Sequence, residues 1–162
     1  MVRSFAKPAI GGRFGWIAVG LVAGVLSTAV MQAQAPAAQP AKNPYVFEGD
    51  GAMTLNFIKA DKAADFEMVL GKLKEALAKS DDPVHKQMAA GWRVIKNPEP
   101  IQGGNYLYAF LIDPVVKDAD YTVSRILAKV FPTEVQELFK TYAACFAGGV
   151  TLQNYTTVAN MK

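Results

Sequence analysis

Hydrophobic and polar positions alternate over residues 52–58, near the start of the part of the chain that carries regular patterns. Met53, Leu55 and Phe57 fall on one side of this stretch, and Asn56 falls on the other. Strict alternation is typical of a β-strand with two different faces. The sequence therefore predicts a first strand, with Asn56 on its more polar face.

A helical pattern follows this strand. After Asp61, which is placed to cap the first turn, apolar residues recur at spacings of three and four. These positions are Phe66, Val69, Leu70, Leu73 and Leu77. The spacing predicts an amphipathic helix with one buried stripe.

A second, shorter helix is predicted over residues 84–90. Asp82 followed by Pro83 has the form of an N-cap with proline at the first helical position, and Gly91 is a natural stop. Val84 and Met88 are four residues apart and should anchor this helix. His85, the only histidine of the chain, then lies beside that anchoring side, on a partly exposed flank.

The rest of the chain predicts two more helices and three more strands. Residues 105–112 are apolar on both alternating faces, so both faces of that strand should be buried. A capping box from Thr133 to Gln136 opens the last helix. The remaining elements are a strand from residue 92, a helix over 121–130 and a closing strand over 150–159.

This order predicts an α+β fold of the ferredoxin-like, split βαβ (β-α-β-β-α-β) type. It would contain a four-stranded antiparallel sheet with helices on one face. The second face would remain apolar and open, which favours a homodimer in which two sheets pack face to face.

The first 35 residues have the composition of a targeting segment. Three basic residues precede an uncharged apolar run over residues 16–30, and Ala33-Gln34-Ala35 has the small-residue form of a cleavage site. We expect a signal peptide over 1–35, an Ala/Pro-rich leader over 36–50 and one domain over 51–162. We therefore expect a periplasmic or secreted protein that is not stably inserted in a membrane. The alternative is that the segment remains uncleaved as a membrane anchor.

Charge and cysteine content narrow the function classes. The net charge of +3 comes from Arg3, Lys7 and Arg13, so the chain after residue 35 is formally neutral and has no basic run. We therefore do not expect this protein to bind nucleic acid. Cys145 is the only cysteine and cannot close an internal disulfide. We expect it to be an inert buried thiol, with an intermolecular disulfide as the exception.

The chain resembles the dimeric α+β-barrel superfamily, and the antibiotic-biosynthesis-monooxygenase-like and NIPSNAP-like proteins in particular. The resemblance rests on the element order over residues 51–161, on the stretch MTLNFIKADKAADFEMVLGKL and on the broken second helix. It implies a pocket between the sheet and the helices. Haem-degrading members use an Asn on the first strand with a Trp and a His near the second helical region. Asn56 matches, but residues 121–146 contain neither Trp nor His.

Two functions remain open. The first is a homodimeric binding or interaction protein that holds a small apolar or aromatic molecule; its ligand-binding candidates are Asn56, Trp92, Tyr106 and Tyr108. The second is a cofactor-free monooxygenase- or isomerase-type enzyme using the same pocket, with His85 and Asn56 as weak catalytic candidates. If His85 and Asn56 face one cavity, the enzyme is favoured. The alternative for the aromatic residues is that they only fill the core or the dimer interface. Neither a metal nor another cofactor is expected, because one histidine without a His/Cys cluster cannot form a zinc site.

Overall fold

A four-stranded antiparallel sheet organises the fold in the computed structural model, which describes residues 42–101 and 103–161. Its strands are β1 (Gly51–Ile58), β2 (Trp92–Lys96), β3 (Tyr106–Ile112) and β4 (Thr151–Tyr155). They lie in the order β2-β3-β1-β4, and each neighbouring pair is antiparallel. The two central strands, β1 and β3, are therefore the ones that carry most of the buried sheet.

Two helices occupy each of the long connections. They are α1 (Ala63–Lys79), preceded by a 3-10 turn (Ala60–Lys62), then α2 (Pro83–Gly91), α3 (Val123–Val130) and α4 (Val135–Cys145). The fold belongs to the α+β class, as predicted, but its order is β-α-α-β-β-α-α-β rather than the simpler six-element order. No helix of the described residues is long and apolar enough to cross a membrane.

One face of the sheet packs against the helices. Asn56 of β1 is opposite Tyr108 of β3, and Thr54 is opposite Phe110; all four are buried. Phe66 of α1 lies over this face, with its ring centroid 4.8 Å from that of Tyr108. The face of β1 that the alternation predicted to be the more polar one, with Asn56, is therefore the face that lies in the core.

The other face of the sheet is also apolar. It carries Met53, Leu55 and Phe57 from β1, and Leu107 and Leu111 from β3, all partly buried. The prediction that β3 has two apolar faces agrees with this arrangement. A sheet face of this composition is a surface to which a partner can bind.

The leader expected over residues 36–50 is packed where it is described, from residue 42 onward. Phe47 is buried, and Val46 forms a β-bridge with Asp120. The backbone N–H of Tyr121 donates to the carbonyl of Tyr45 at 3.0 Å. Residues 42–50 are therefore part of the domain. The signal peptide expected over residues 1–35 lies outside the described residues.

Local signals at the helix ends gave mixed results. Asp82 caps α2 as predicted, because its carboxylate accepts from the backbone N–H of Val84 at 2.9 Å. The caps expected from Asp61 and Thr133 are wrong. Asp61 lies inside the 3-10 turn, and α4 begins after Glu134 without a side-chain cap. Gly91 ends α2 where a Cβ would lie 2.7 Å from the carbonyl of Pro114.

Candidate functional site

A cavity of about 230 Å³ lies between the sheet and α3 and α4. Its described lining comes from β1, β2 and β3, from both of these helices and from the amino-terminal segment. Seven of the thirteen lining residues are aromatic. The lining residues are Tyr45, Phe47, Thr54, Asn56, Trp92, Phe110, Ile112, Tyr121, Thr122, Val123, Ser124, Phe139 and Tyr142. An apolar cavity with a few polar groups is typical of a small-molecule site.

Asn56 is the one side-chain amide among the described lining residues, and it is buried. Its Nδ2 lies 3.0 Å from Thr54 Oγ1, and 3.3 Å from the carbonyl oxygens of both Thr54 and Tyr108. Three acceptors around one nitrogen fix which end of the amide points toward the sheet. The amide is held by the sheet itself, and its Oδ1 is turned away from these acceptors.

Trp92 contributes a ring and an unpaired donor. The indole lies against Tyr121 and Phe110, with centroid distances of 5.3 and 5.7 Å. Its Nε1 is the one buried side-chain polar atom of the described residues without a hydrogen-bond partner. Trp92 also lines a second apolar cavity, between α1, α2 and β2, so its ring is part of the wall of both cavities.

Tyr121 and Tyr142 of the cavity keep their hydroxyl protons at physiological pH. Burial raises the pKa of the Tyr142 hydroxyl well above its ordinary value, and burial also raises the pKa of Tyr121. No described lining residue is Asp, Glu, Lys, Arg or His. The cavity is thus aromatic, polar at a few points and uncharged.

Phe139 marks the side on which solvent approaches. Its side chain lines the cavity, yet 52% of its surface is exposed. A residue that is both lining and exposed lies at the mouth. The exposure of Phe139 shows that the buried side of α4 ends at the cavity opening.

His85 does not belong to this cavity. It was expected on a partly exposed flank, but only 3% of it is exposed, and its Nδ1 lies 2.7 Å from Ser80 Oγ. Burial lowers its pKa, while the nearby Asp82 carboxylate partly opposes that shift. His85 is absent from the cavity lining that contains Asn56, so the condition that would have favoured an enzyme is not met.

Tyr106 and Tyr108 are directed to another cluster. The Tyr108 hydroxyl donates to Glu67 Oε1 at 2.6 Å, and the Lys96 ammonium donates to the same oxygen at 2.9 Å. The ammonium also lies 4.3 Å from the centroid of the Tyr106 ring. The hydrogen bonds that Glu67 accepts from Tyr108 and Lys96 lower the pKa of its carboxyl group. Of the four ligand-binding candidates, the cavity lining includes Asn56 and Trp92 but neither of these tyrosines; ligand binding by any of the four stays a prediction.

Cys145 is buried at the end of α4, as expected. Its Sγ lies 3.1 Å from the carbonyl oxygen of Thr141, to which the thiol donates. Burial raises the pKa of the thiol, which leaves little thiolate at neutral pH. No group of three or more His, Cys, Asp or Glu side chains within residues 42–101 and 103–161 is placed to hold a metal ion.

Several cavity residues were missed by the sequence analysis. Thr54 shares the alternating face of Asn56 and could have been found from that spacing. Tyr45 and Phe47 were set aside as leader, although two aromatic residues at an interval of two are typical of a buried extended segment. No known protein-family model matches the chain, and no curated protein matches it in sequence.

Proposed function

We propose that this protein binds a small, largely apolar molecule in the cavity between the sheet and the helices α3 and α4. The observation that carries the proposal is the lining itself: a mostly aromatic wall with an amide, Asn56, held in a fixed orientation at its base. Fixed polar groups in an apolar wall give a ligand both affinity and orientation. A wall that served only to fill the core would close the space instead.

The volume limits the size of the ligand. An apolar cavity of about 150 Å³ is sufficient to bind benzene, whereas drug-sized ligands occupy pockets of about 300–1,000 Å³. The cavity of about 230 Å³ lies between these values. A ligand with one substituted ring fits this range.

Methyl NMR tests this proposal directly. Ile112 and Val123 line the cavity, whereas Ile95 and Val84 are exposed and outside it. Titration of the full chain with toluene should shift the methyl signals of the first pair in a saturable manner and leave the second pair unchanged. Shifts that are absent, or equally large at all four residues, would count against a ligand site in this cavity.

A cofactor-free monooxygenase or isomerase in the same cavity receives no support from the arrangement of the described residues. The one imidazole of the chain is bonded to Ser80, in a different part of the fold. The lining contains no carboxylate or amine that could act as an acid or base. Binding is therefore the function we propose.

We further propose that the fold is ferredoxin-like and that two copies associate as a dimeric α+β barrel. In support, β3 lies between β1 and β2, as in a split βαβ unit, and the outer sheet face is apolar. Native mass spectrometry should give twice the chain mass. Leu55→Glu, which places a charge in the middle of that face, should yield monomers, and Lys74→Glu on exposed α1 should not. A monomeric wild-type protein would refute the dimer.

Export is the last part of the proposal. The basic residues, the apolar run and the Ala33-Gln34-Ala35 sequence support cleavage near residue 35. Edman sequencing of the protein from the cells that make it should give a new amino terminus near Pro36. An intact Met1 on protein recovered from the cytoplasm would refute export.

A further inference from the structure

The base of the cavity contains a hydrogen-bond acceptor without a described donor. The Nδ2 of Asn56 is directed to Thr54 and Tyr108, and no hydrogen bond from residues 42–101 or 103–161 reaches its Oδ1. Trp92 Nε1 is the one described side-chain polar atom that is both fully buried and unpaired, so Oδ1 of Asn56 is not sealed inside the protein. Asn is disfavoured in the interior of a strand, and from its position in the cavity lining its Oδ1 can accept from a ligand that supplies a donor.

The charge of the ligand is limited by the rest of the wall. The described lining contains no Asp, Glu, Lys, Arg or His, and burial raises the pKa of the Tyr121 and Tyr142 hydroxyls. A carboxylate or an ammonium group would lose its hydration on entry and meet no opposite charge. The cavity is therefore selective against charged ligands.

We infer that the ligand is an uncharged aromatic molecule with one O–H or N–H group, of the phenol or indole kind, which donates to Asn56 Oδ1. This inference rests on the proposed function and specifies its ligand class. The aromatic wall binds the ring by edge and face contacts, and the amide selects the molecule that carries a donor. Asn56 thereby acts as the specificity-determining residue.

Four probe compounds separate these statements in the wild-type protein. Toluene has the ring alone, p-cresol adds a donor, 4-methylanisole keeps the oxygen but lacks the donor, and 4-methylbenzoate adds a negative charge. Dissociation constants from methyl NMR titration should be about tenfold lower for p-cresol than for toluene, a difference of ~1.4 kcal/mol. The anisole should bind no better than toluene, and the benzoate should not bind.

Each outcome has a distinct meaning. If neither toluene nor p-cresol binds, the proposed function fails, and this inference fails with it. If toluene and p-cresol bind equally, the cavity is a site but Asn56 does not select a donor, as when a bound water already satisfies Oδ1. Binding of the benzoate at an affinity near that of p-cresol would refute the selectivity for neutral ligands.

A variant then assigns the selectivity to Asn56. Asn56→Leu has similar size and no acceptor, so the ratio of p-cresol to toluene affinity should fall from about ten to one or below. Asn97→Leu makes the same change at an exposed position outside the cavity and should keep the wild-type ratio. A tenfold ratio that persists in folded Asn56→Leu would overturn the assignment. Circular dichroism checks folding, and the comparison of p-cresol with 4-methylanisole in the wild type stands without any variant.

Discussion

The unpaired indole N–H of Trp92 leads to a quantitative prediction about stability. Its Nε1 is buried and has no described acceptor, and the ring lies between Phe110 and Tyr121. A buried donor without a partner costs about 1–3 kcal/mol. Trp92→Phe removes that donor and keeps an aromatic ring at the same place.

The opposing cost is the volume that the smaller ring leaves empty. Phe is smaller than Trp by about 40 Å³, which at about 24 cal/mol per Å³ is roughly 1 kcal/mol of cavity energy. Loss of apolar contact adds a further amount of about 1 kcal/mol. The two sides nearly cancel, so Trp92→Phe should change the free energy of unfolding by no more than about 1 kcal/mol.

Urea unfolding followed by far-UV circular dichroism measures this change, because that signal does not depend on tryptophan. Phe110→Leu, which removes part of the neighbouring buried ring and no polar atom, is the control and should lose about 1–2 kcal/mol. Trp92→Ala should lose about 3 kcal/mol or more. A loss above about 2.5 kcal/mol for Trp92→Phe would refute the reasoning, since it would mean that the indole N–H has a partner in solution.

Three further predictions concern other parts of the fold. Because burial lowers the pKa of His85 below 6.5, the unfolded state binds the proton more readily than the folded state. The contribution of His85 to the free energy of unfolding should therefore be constant above about pH 7 and fall as the pH drops below 6.5. His85→Gln should lose this part of the pH dependence of the urea midpoint. An identical pH profile for the variant would assign the effect to other groups. Tyr108→Phe should lower the free energy of unfolding by about 1 kcal/mol, because the Glu67 carboxylate is exposed enough to be rehydrated. The same variant should bind toluene as the wild type does. Weaker toluene binding would show that Tyr108 contributes to the binding site. Phe47→Ala should lose about 3–5 kcal/mol, since its ring is buried, and a loss below 1 kcal/mol would show that the segment is not part of the core.

The sequence predicted the elements well where one face of an element decides its pattern. Alternation separated Asn56 from Met53, Leu55 and Phe57, although which of the two faces is the inner one came from the structure. Spacing placed Leu73 and Leu77 on the buried side of α1. Such patterns are local, so they can be recognised without knowing the neighbours of an element. The α+β class and the two apolar faces of β3 follow from them.

Predictions failed where burial depends on how elements pack together. Val84 and Met88 were expected to anchor α2, but Val84 is 36% exposed, whereas His85 and Met88 are buried. A helix of nine residues has too few apolar positions to define a face. The hydrogen bond of His85 to Ser80 also joins the start of α2 to the end of α1, which no pattern within α2 could show. The sequence predicted only that a pocket lies between the sheet and the helices, and it did not predict the full lining. Its lining joins residues that are far apart in the sequence, and no spacing rule connects Tyr45 with Tyr142.

The placement of Tyr45 and Phe47 in the cavity wall links an occupant of the cavity to the attachment of the chain's amino-terminal side. A molecule that contacts these rings can bind fully only while the segment is docked, so binding and docking must strengthen each other by the same factor. Proteolytic cleavage between residues 44 and 48, which needs the segment to detach, should become slower as the cavity fills. The rate of cleavage in this segment would then report whether the cavity is occupied.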